Sequence, residues 1–419
     1  MVFSMHASQP NAKLSTLRVA IVHYWYVRRR GGERVLEVLA DMFPGADIFL
    51  LVMDPQAIAP ALRSHKITTS FLQKIPGITR HYRKLLPLFP LALEQFCLDD
   101  YDLVISQESG PAKGVLTGSR TCHVCYCHTP IRYLWDMYHH YRGTAPGGRL
   151  GRGLYSLAAH YVRLWDYATS ARVDYFVASS SNGAERIRKH YRRQADVIYP
   201  PVDIGSFAPS SRVDDFYLVL SPLVSYKRID LAIEACNALK RRLVVIGDGE
   251  QMENLRKIAG PTVTFLGFQS EEVVRDHYAC CRAFLFPGEE DIGLTPIEAQ
   301  ACGRPVIAYG RGGARETVCG FFPGDSITPE SSTGVFFREQ TVDSMVEAIQ
   351  AFERYESRFS PPLIRSNAER FSESRFRSEI SALIEEKLAE FYGGRIPSAS
   401  LPPSLEHRKE SSLGQVSIR

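Results

Sequence analysis

No apolar run in this chain approaches the roughly 18 residues that a membrane-crossing helix needs. The longest candidate, Leu85 to Leu93, is nine residues and is broken by Pro87 and Pro90. That excludes a polytopic membrane protein. Met1 to Leu17 lack the charged start and apolar stretch of a secretory leader, so no secretion is expected. Nine cysteines are scattered without a paired framework, and buried free thiols are expected. The polar bias of a disordered chain and the glycine period of collagen are absent too. Of 419 residues, 45 % are hydrophobic and 23 % charged, which is near the average for soluble globular chains. Roughly 100–200 residues make a domain, so two or three domains are expected.

Excess charge is also small, at +4. It hides an asymmetry, because residues 1–204 carry +9 and residues 205–419 carry −5. A basic first half suggests an anionic partner: a phosphate ligand, an anionic membrane surface or nucleic acid.

What the chain does have is a switching apolar pattern. Short continuous runs read as buried parallel strands: Val19–Val22, Ile48–Val52, Leu103–Ile105, Tyr175–Ala178, Tyr217–Leu220, Leu243–Ile246, Ala283–Phe286 and Val306–Ala308. Between them lie helical faces such as Val35, Val38, Leu39, Met42 and Phe43, or Ile229, Ala232, Ile233 and Cys236. Parallel strands need crossovers, usually helices, so the fold class is α/β. The alternation runs twice around the Pro-Pro joint at Pro200-Pro201. Expected are a domain over 1–204, a second over 205–374, and a helix over 375–393 packing back on the first domain. A disordered tail is expected over 394–419. Ligands of open α/β sheets sit outside the carboxyl ends of the strands. Two doubly wound sheets are therefore expected to face a central cleft, with the working residues just after strands.

The segment after Phe286 carries the most chemistry. It is an acidic loop with Gly293, then a helix expected from about Thr295 to Cys302, with Thr295 as N-cap, Pro296 at the first position and Glu298 in the first turn. Amides at such a helix start suit a diphosphate, and the carboxylates of Glu290 and Glu298 suit sugar hydroxyls. The plainer alternative is that Glu298 simply favours the positive end of the helix dipole. Lys227, following the strand Tyr217–Leu220, either reaches a phosphate or is a solvated surface lysine. Gly247-Asp248-Gly249 is a tight turn after a strand. Gly31-Gly32 open a helix after the first strand, beside Arg28 to Arg30. The string Cys122-His-Val-Cys125-Tyr-Cys127-His128 invites a zinc reading, but a strand-like interleaving with Val124 and Tyr126 favours buried thiols, and no metal is expected. Lys74 to Pro90 is basic and apolar in succession. It reads either as a contact with an anionic membrane or as a packed helix pair with a solvated basic edge.

The Glu290-to-Glu298 segment resembles the E-x7-E signature of retaining glycosyltransferases of the GT-B fold, in particular glycosyltransferase family 4. The similarity runs on through Ala299, Gly303, Pro305-Val306 and Gly312-Gly313 to Glu316 and covers roughly residues 17–390. It implies a GT-B fold of two Rossmann-like doubly wound domains. Glu290 is implied to contact the donor sugar's hydroxyls, Glu298 the nucleotide ribose, and the amides near Gly293, Leu294 and Thr295 the diphosphate. Gly247 is implied to line the donor cleft, and Gly267-Phe268 to end the strand that reads the base. Gly31 and Gly32 are implied to border acceptor and donor phosphates. The string His128-Thr-Pro-Ile-Arg132-Tyr133-Leu-Trp135-Asp136 resembles the mannosyltransferase-like branch. There His128 is implied to approach the donor sugar, with Arg132, Tyr133 and Trp135 on the acceptor side. The family pattern has an arginine where this chain has Pro222, five residues before Lys227. Charge compensation by Arg228 is the expectation that follows.

The resemblance implies a retaining hexosyltransferase with His128, Lys227 and Glu290 in catalytic positions and no cofactor. Its donor is expected to be GDP-mannose or a UDP-sugar, and its acceptor a glycan or lipid-linked saccharide, without nucleic acid. The expected location is cytoplasmic, peripheral on the inner face of the plasma membrane. A nicotinamide-dependent oxidoreductase is disfavoured because no G-x-G-x-x-G follows the first strand. A non-catalytic sugar-nucleotide binder is suggested by Pro222 alone.

Overall fold

The computed structural model describes residues 14, 16–29, 31–108, 110–326 and 329–394. Beyond Gly394, the expected tail lies outside the described residues, as do residues 1–13 and Arg30. The chain divides into two compact units, residues 1–200 with 376–419, and residues 201–375. The division falls at the Pro200-Pro201 joint itself, ahead of the expected 205. Val202 N–H donates to Phe371 O at 2.8 Å, which ties the residues after the joint to the second unit.

Among the described residues, unit 1 holds one parallel sheet of seven strands: β1 Val19–Tyr26, β2 Asp47–Met53, β3 Ile67–Thr69, β4 Leu103–Glu108, β5 Cys122–Cys127, β6 Tyr175–Ala178 and β7 Ala195–Val197. Their spatial order is β3-β2-β1-β4-β5-β6-β7. Central strands are apolar on both faces because helices cover both. Val19 and Ile21 of β1 face one core, Ala20 and Val22 the other. On β5, Cys122, Val124 and Tyr126 face one side and Cys125 and Cys127 the other. The thiols therefore point to opposite faces and do not converge. Among the described residues no cluster of three His, Cys, Asp or Glu is poised around a metal. Helix Glu373–Phe391 completes unit 1, burying Phe376, Ile380, Ile384 and Leu388 in the core beneath β1, β4 and β5.

Unit 2 repeats the design with β8 Tyr217–Leu220, β9 Leu243–Ile246, β10 Val263–Gly267, β11 Ala283–Phe286, β12 Val306–Tyr309, β13 Gly320–Phe321 and β14 Gly334–Phe337. The order is β10-β9-β8-β11-β12-β14-β13, all parallel. In each unit the strand order reverses beside the first strand, between β1 and β4 and between β8 and β11. Such a switch point opens a crevice at the carboxyl ends, where the outgoing connections part to opposite faces.

The segment 74–90 is neither a regular helix pair nor one helix. It is a series of short turns, 3-10 at Phe71–Lys74, α at Ile78–His81 and 3-10 again at Tyr82–Leu88. Pro87 lacks an N–H and prevents a longer helix. No helix among the described residues is long and apolar enough to cross a membrane.

Candidate functional site

Each unit gathers its chemistry at its own switch point. In unit 2, β8 ends at Leu220 and the chain runs through Pro222 into a 3-10 turn, Ser225–Lys227. This turn aims Lys227 at the loop after β11, where its ammonium pairs with Glu290. Both side chains are mostly buried and line one small pocket with Ser221, Phe286 and Gly288. Two residues singled out separately in the sequence are thus direct partners. Arg228, expected to compensate for the missing arginine, is paired within its own turn. It adopts a left-handed backbone (φ 53°), and its guanidinium forks the Asp230 carboxylate at 2.9–3.2 Å.

The loop from Gly288 to Gly293 is held by close backbone contacts. A Cβ on Gly313 would stand 2.3 Å from Ile292 Cα, and Gly313 N–H donates to Glu290 O at 2.7 Å. Gly293 has φ +76°, and a Cβ there would meet the Phe286 ring at 2.7 Å. Only glycine permits both the turn and that approach. The following helix is Leu294–Ala301 with Gly293 as its N-cap. This corrects two expectations. Thr295 is the second helical residue, not the cap, because the left-handed glycine turns the chain before Leu294. Glu298 lies in the second turn, beyond the end that a helix dipole favours. Its role is set by a tertiary contact instead: the fully buried Tyr278 donates its O–H to Glu298 at 2.8 Å. Burial raises the Glu298 pKa, against the lowering effect of that hydrogen bond.

Gly247 and Gly267 meet at the same edge, with Gly247 N–H donating to Gly267 O at 2.9 Å, and Ser221 N–H donating to Ile246 O at 3.1 Å. The carboxyl ends of β8, β9 and β10 are therefore knit together. Phe268 stands 88 % exposed just past them.

In unit 1, helix Gly31–Met42 begins immediately after the β1 turn. Gly32 O accepts from Gln107 Nε2 at 3.1 Å, and the same amide nitrogen contacts His128 Nε2. An amide that donates to both leaves His128 Nε2 an acceptor, so its proton sits on Nδ1. Burial pushes the His128 pKa down to about 3, with His23 nearby adding to the effect. His23 is likewise held neutral at about 4 by burial, and its Nδ1 donates to Gln107 O at 3.1 Å. His23 Nε2 and Gln107 Oε1 are buried without a hydrogen-bond partner among the described residues. Sequence reading missed His23 and Gln107. The signal available was a pair of polar residues, Ser106-Gln107, closing an otherwise apolar buried strand.

The acceptor-side residues divide. Arg132 and Tyr133 are half-buried beyond the end of β5. Trp135 is anchored inward instead. Its indole N–H donates to Asp166 at 2.8 Å, and Asp166 is fully buried in an ion pair with Lys113 while also accepting from Tyr191 O–H. Trp135 fixes local packing, and the Tyr133 ring packs edge-on against Tyr141 with centroids 6.1 Å apart.

Family models match both halves. Residues 29–206 match "Glycosyltransferase Family 4", and residues 209–369 match "Glycosyl transferases group 1". The chain belongs to glycosyltransferase family 4. A family relative from Mycobacterium tuberculosis is the GDP-mannose-dependent alpha-(1-6)-phosphatidylinositol monomannoside mannosyltransferase. It is 32 % identical over 148 residues, 31 % of this chain and 36 % of its own. The GDP-mannose-dependent alpha-mannosyltransferase of Mycolicibacterium smegmatis is 31 % identical over 181 residues, 40 % of this chain and 47 % of its own. The chain spans less than half the length of either relative. Among solved structures, Anabaena HepE in complex with UDP superposes with a TM-score of 0.64 at 16 % identity, covering 88 % of this chain and 100 % of that one. That likeness concerns the fold, the GT-B pairing of two Rossmann-like units.

Proposed function

We propose that this family 4 protein is a retaining hexosyltransferase. It moves a mannosyl group from GDP-mannose to a hydroxyl of a glycan or lipid-linked saccharide in polysaccharide assembly. The observation that carries the reading is the contact of Lys227 with Glu290 at the unit 2 switch point. Cleaving a nucleoside diphosphate sugar develops negative charge on the leaving diphosphate, and a fixed cation beside it stabilises that charge. Lys227 is such a cation, and the first amides of helix Leu294–Ala301 are donors aimed along the same loop. Glu290 exchanges its lysine partner for sugar hydroxyls, and Glu298 accepts from the ribose. No carboxylate is assigned as nucleophile. The acceptor hydroxyl forms its bond to C1 on the face from which the C1–diphosphate bond breaks, and its proton passes to the departing diphosphate oxygen, which retains configuration and balances the step. In unit 1, neutral His128 offers its Nδ1–H to a sugar oxygen, while Gln107 holds the ring.

The GDP-mannose assignment is supported by the names of the two mannosyltransferase relatives. A thermal-shift panel of GDP, UDP, ADP and NAD tests it. A ligand at 100 times its dissociation constant adds about 2.7 kcal/mol to stability. The expected response is to GDP, accompanied by transfer of labelled mannose that Lys227→Ala and Glu290→Ala abolish. A UDP response moves the donor class, and full activity in both variants overturns the reading.

A further inference from the structure

Helix Gly148–Thr169 is apolar on two opposite sides. Its inner side buries Ala159, Val162, Asp166 and Thr169. Leu86 from the turn Tyr82–Leu88 packs against the same buried cluster. Its outer side carries Leu150, Leu154, Leu157, Tyr161 and Leu164, all between 51 % and 74 % exposed. At 3.6 residues per turn these five fall within roughly 80° of the helix circumference, opposite the buried side. A surface helix normally turns charged and polar residues outward. An apolar stripe of this length marks an interaction surface.

Charge selects the occupant. From Tyr138 to Thr169 the only carboxylate is Asp166, which is buried against Lys113. Arg142, Arg149 and Arg152 are exposed, as are His139, His140 and His160; by the same angular count Arg149 and His160 flank the stripe, about 100° and 80° from its centre, whereas Arg152 turns to the other side of the helix. The turn Tyr82–Leu88 and the short helix Phe89–Glu94 that follows it expose Leu88 and Leu91, beside Arg83 and Lys84. Two copies of this face would bring like charges together. An anionic bilayer offers both an apolar interior and opposite charge, the combination that holds amphipathic helices in the interface plane.

We propose that the outer face of helix Gly148–Thr169 docks unit 1 onto an anionic membrane surface, the leucines entering the acyl boundary and the arginines meeting lipid phosphates. This gives the proposed lipid-linked acceptor a surface on which to be met, and to that extent it rests on the functional reading above. The binding assay uses neither donor nor acceptor, so the two fail separately.

The test is co-sedimentation of the full chain with vesicles of phosphatidylcholine alone and of phosphatidylcholine mixed with phosphatidylglycerol. The expected result is binding to the mixed vesicles that weakens as salt is raised. A Leu154→Glu/Leu157→Glu double variant is expected to lose binding by more than roughly tenfold while keeping its circular dichroism and its nucleotide-induced thermal shift. Arg149→Glu should weaken binding to mixed vesicles only, and Arg152→Glu, on the far side of the helix, should weaken it less. Three results would overturn the proposal: no binding of the parent protein at low salt, equal binding of the leucine variant, or a dimer in sedimentation velocity that the leucine variant dissociates without any vesicle binding.

Discussion

Changing Asp166 to asparagine tests whether the helix bearing the leucine stripe is pinned from beneath by charge. Asp166 and Lys113 are both fully buried and paired. Asparagine keeps the size and an oxygen that accepts from Trp135 at 2.8 Å or Tyr191 at 3.0 Å. What it removes is the charge opposite the ammonium. Taking one partner from a buried pair costs about 3–5 kcal/mol, because the other is left uncompensated away from water. For a unit of this size, with a urea slope of about 3 kcal/mol per molar, that is a midpoint fall of roughly 1–1.7 M. The readout is unusually clean. All three tryptophans, Trp25, Trp135 and Trp165, lie in unit 1, so their fluorescence follows that unit's unfolding alone. Replacing both partners, as Lys113→Met/Asp166→Asn, should recover most of the loss, since no buried charge is then left unpaired and the amide oxygen still accepts from Trp135 or Tyr191. A midpoint for Asp166→Asn within roughly 0.3 M of the parent would refute the argument.

Further outcomes follow from the same geometry. A Cβ on Gly32 would sit 3.6–3.8 Å from Tyr24 Oη, Gln107 Nε2 and His128 Nε2, an ordinary contact distance. Gly32→Ala should therefore fold with equal or slightly higher stability, by up to about 1 kcal/mol, yet lose transfer activity; undiminished turnover would remove the Gly32–His128 crevice from the site. Gly313→Ala must displace the Glu290 loop by driving a Cβ into Ile292, and the nucleotide-induced thermal shift should disappear with it; an intact shift would detach that loop from the donor. Buried His23 and His123 are held neutral to about pH 4 and His128 to about 3, against 6.5 when unfolded. The unfolded chain thus binds more protons below pH 6.5, and unit 1 loses stability as pH falls from there to about 4, where the fall levels off for His23 and His123. Tryptophan-monitored melting between about pH 7 and 4 checks this, and a flat profile contradicts it. Gln107→Ala frees the His128 ring; its activity profile should gain an acid limb that moves toward the ordinary histidine range, whereas a purely structural role would scale activity at all pH values alike.

Much of the framework was legible before any coordinates. Runs such as Leu243–Ile246 and Ala283–Phe286 are strands with the bounds read from the chain, because a strand buried on both faces must be continuously apolar. Shorter edge strands such as β3 and β7 escaped, since three half-exposed residues make no such run. The donor turn was found by its glycine and glutamates, but the N-cap of its helix was misplaced by two residues. N-cap chemistry favours Thr295, whereas the clash with Phe286 that demands Gly293 is a contact between segments.

Sequence by itself determined the alternation of strand and helix, the two-unit division and the chemistry-bearing ends of strands, because these follow from local periodicity and turn residues. Tertiary structure alone decided the partners: Lys227 with Glu290, Tyr278 with Glu298, and His23 with Gln107 across 84 residues. Parallel crossovers bring distant segments side by side at a switch point, and no local pattern records which ones. The same holds for helix Gly148–Thr169. Its apolar positions were written in the chain, but only packing shows that half of them turn away from the core.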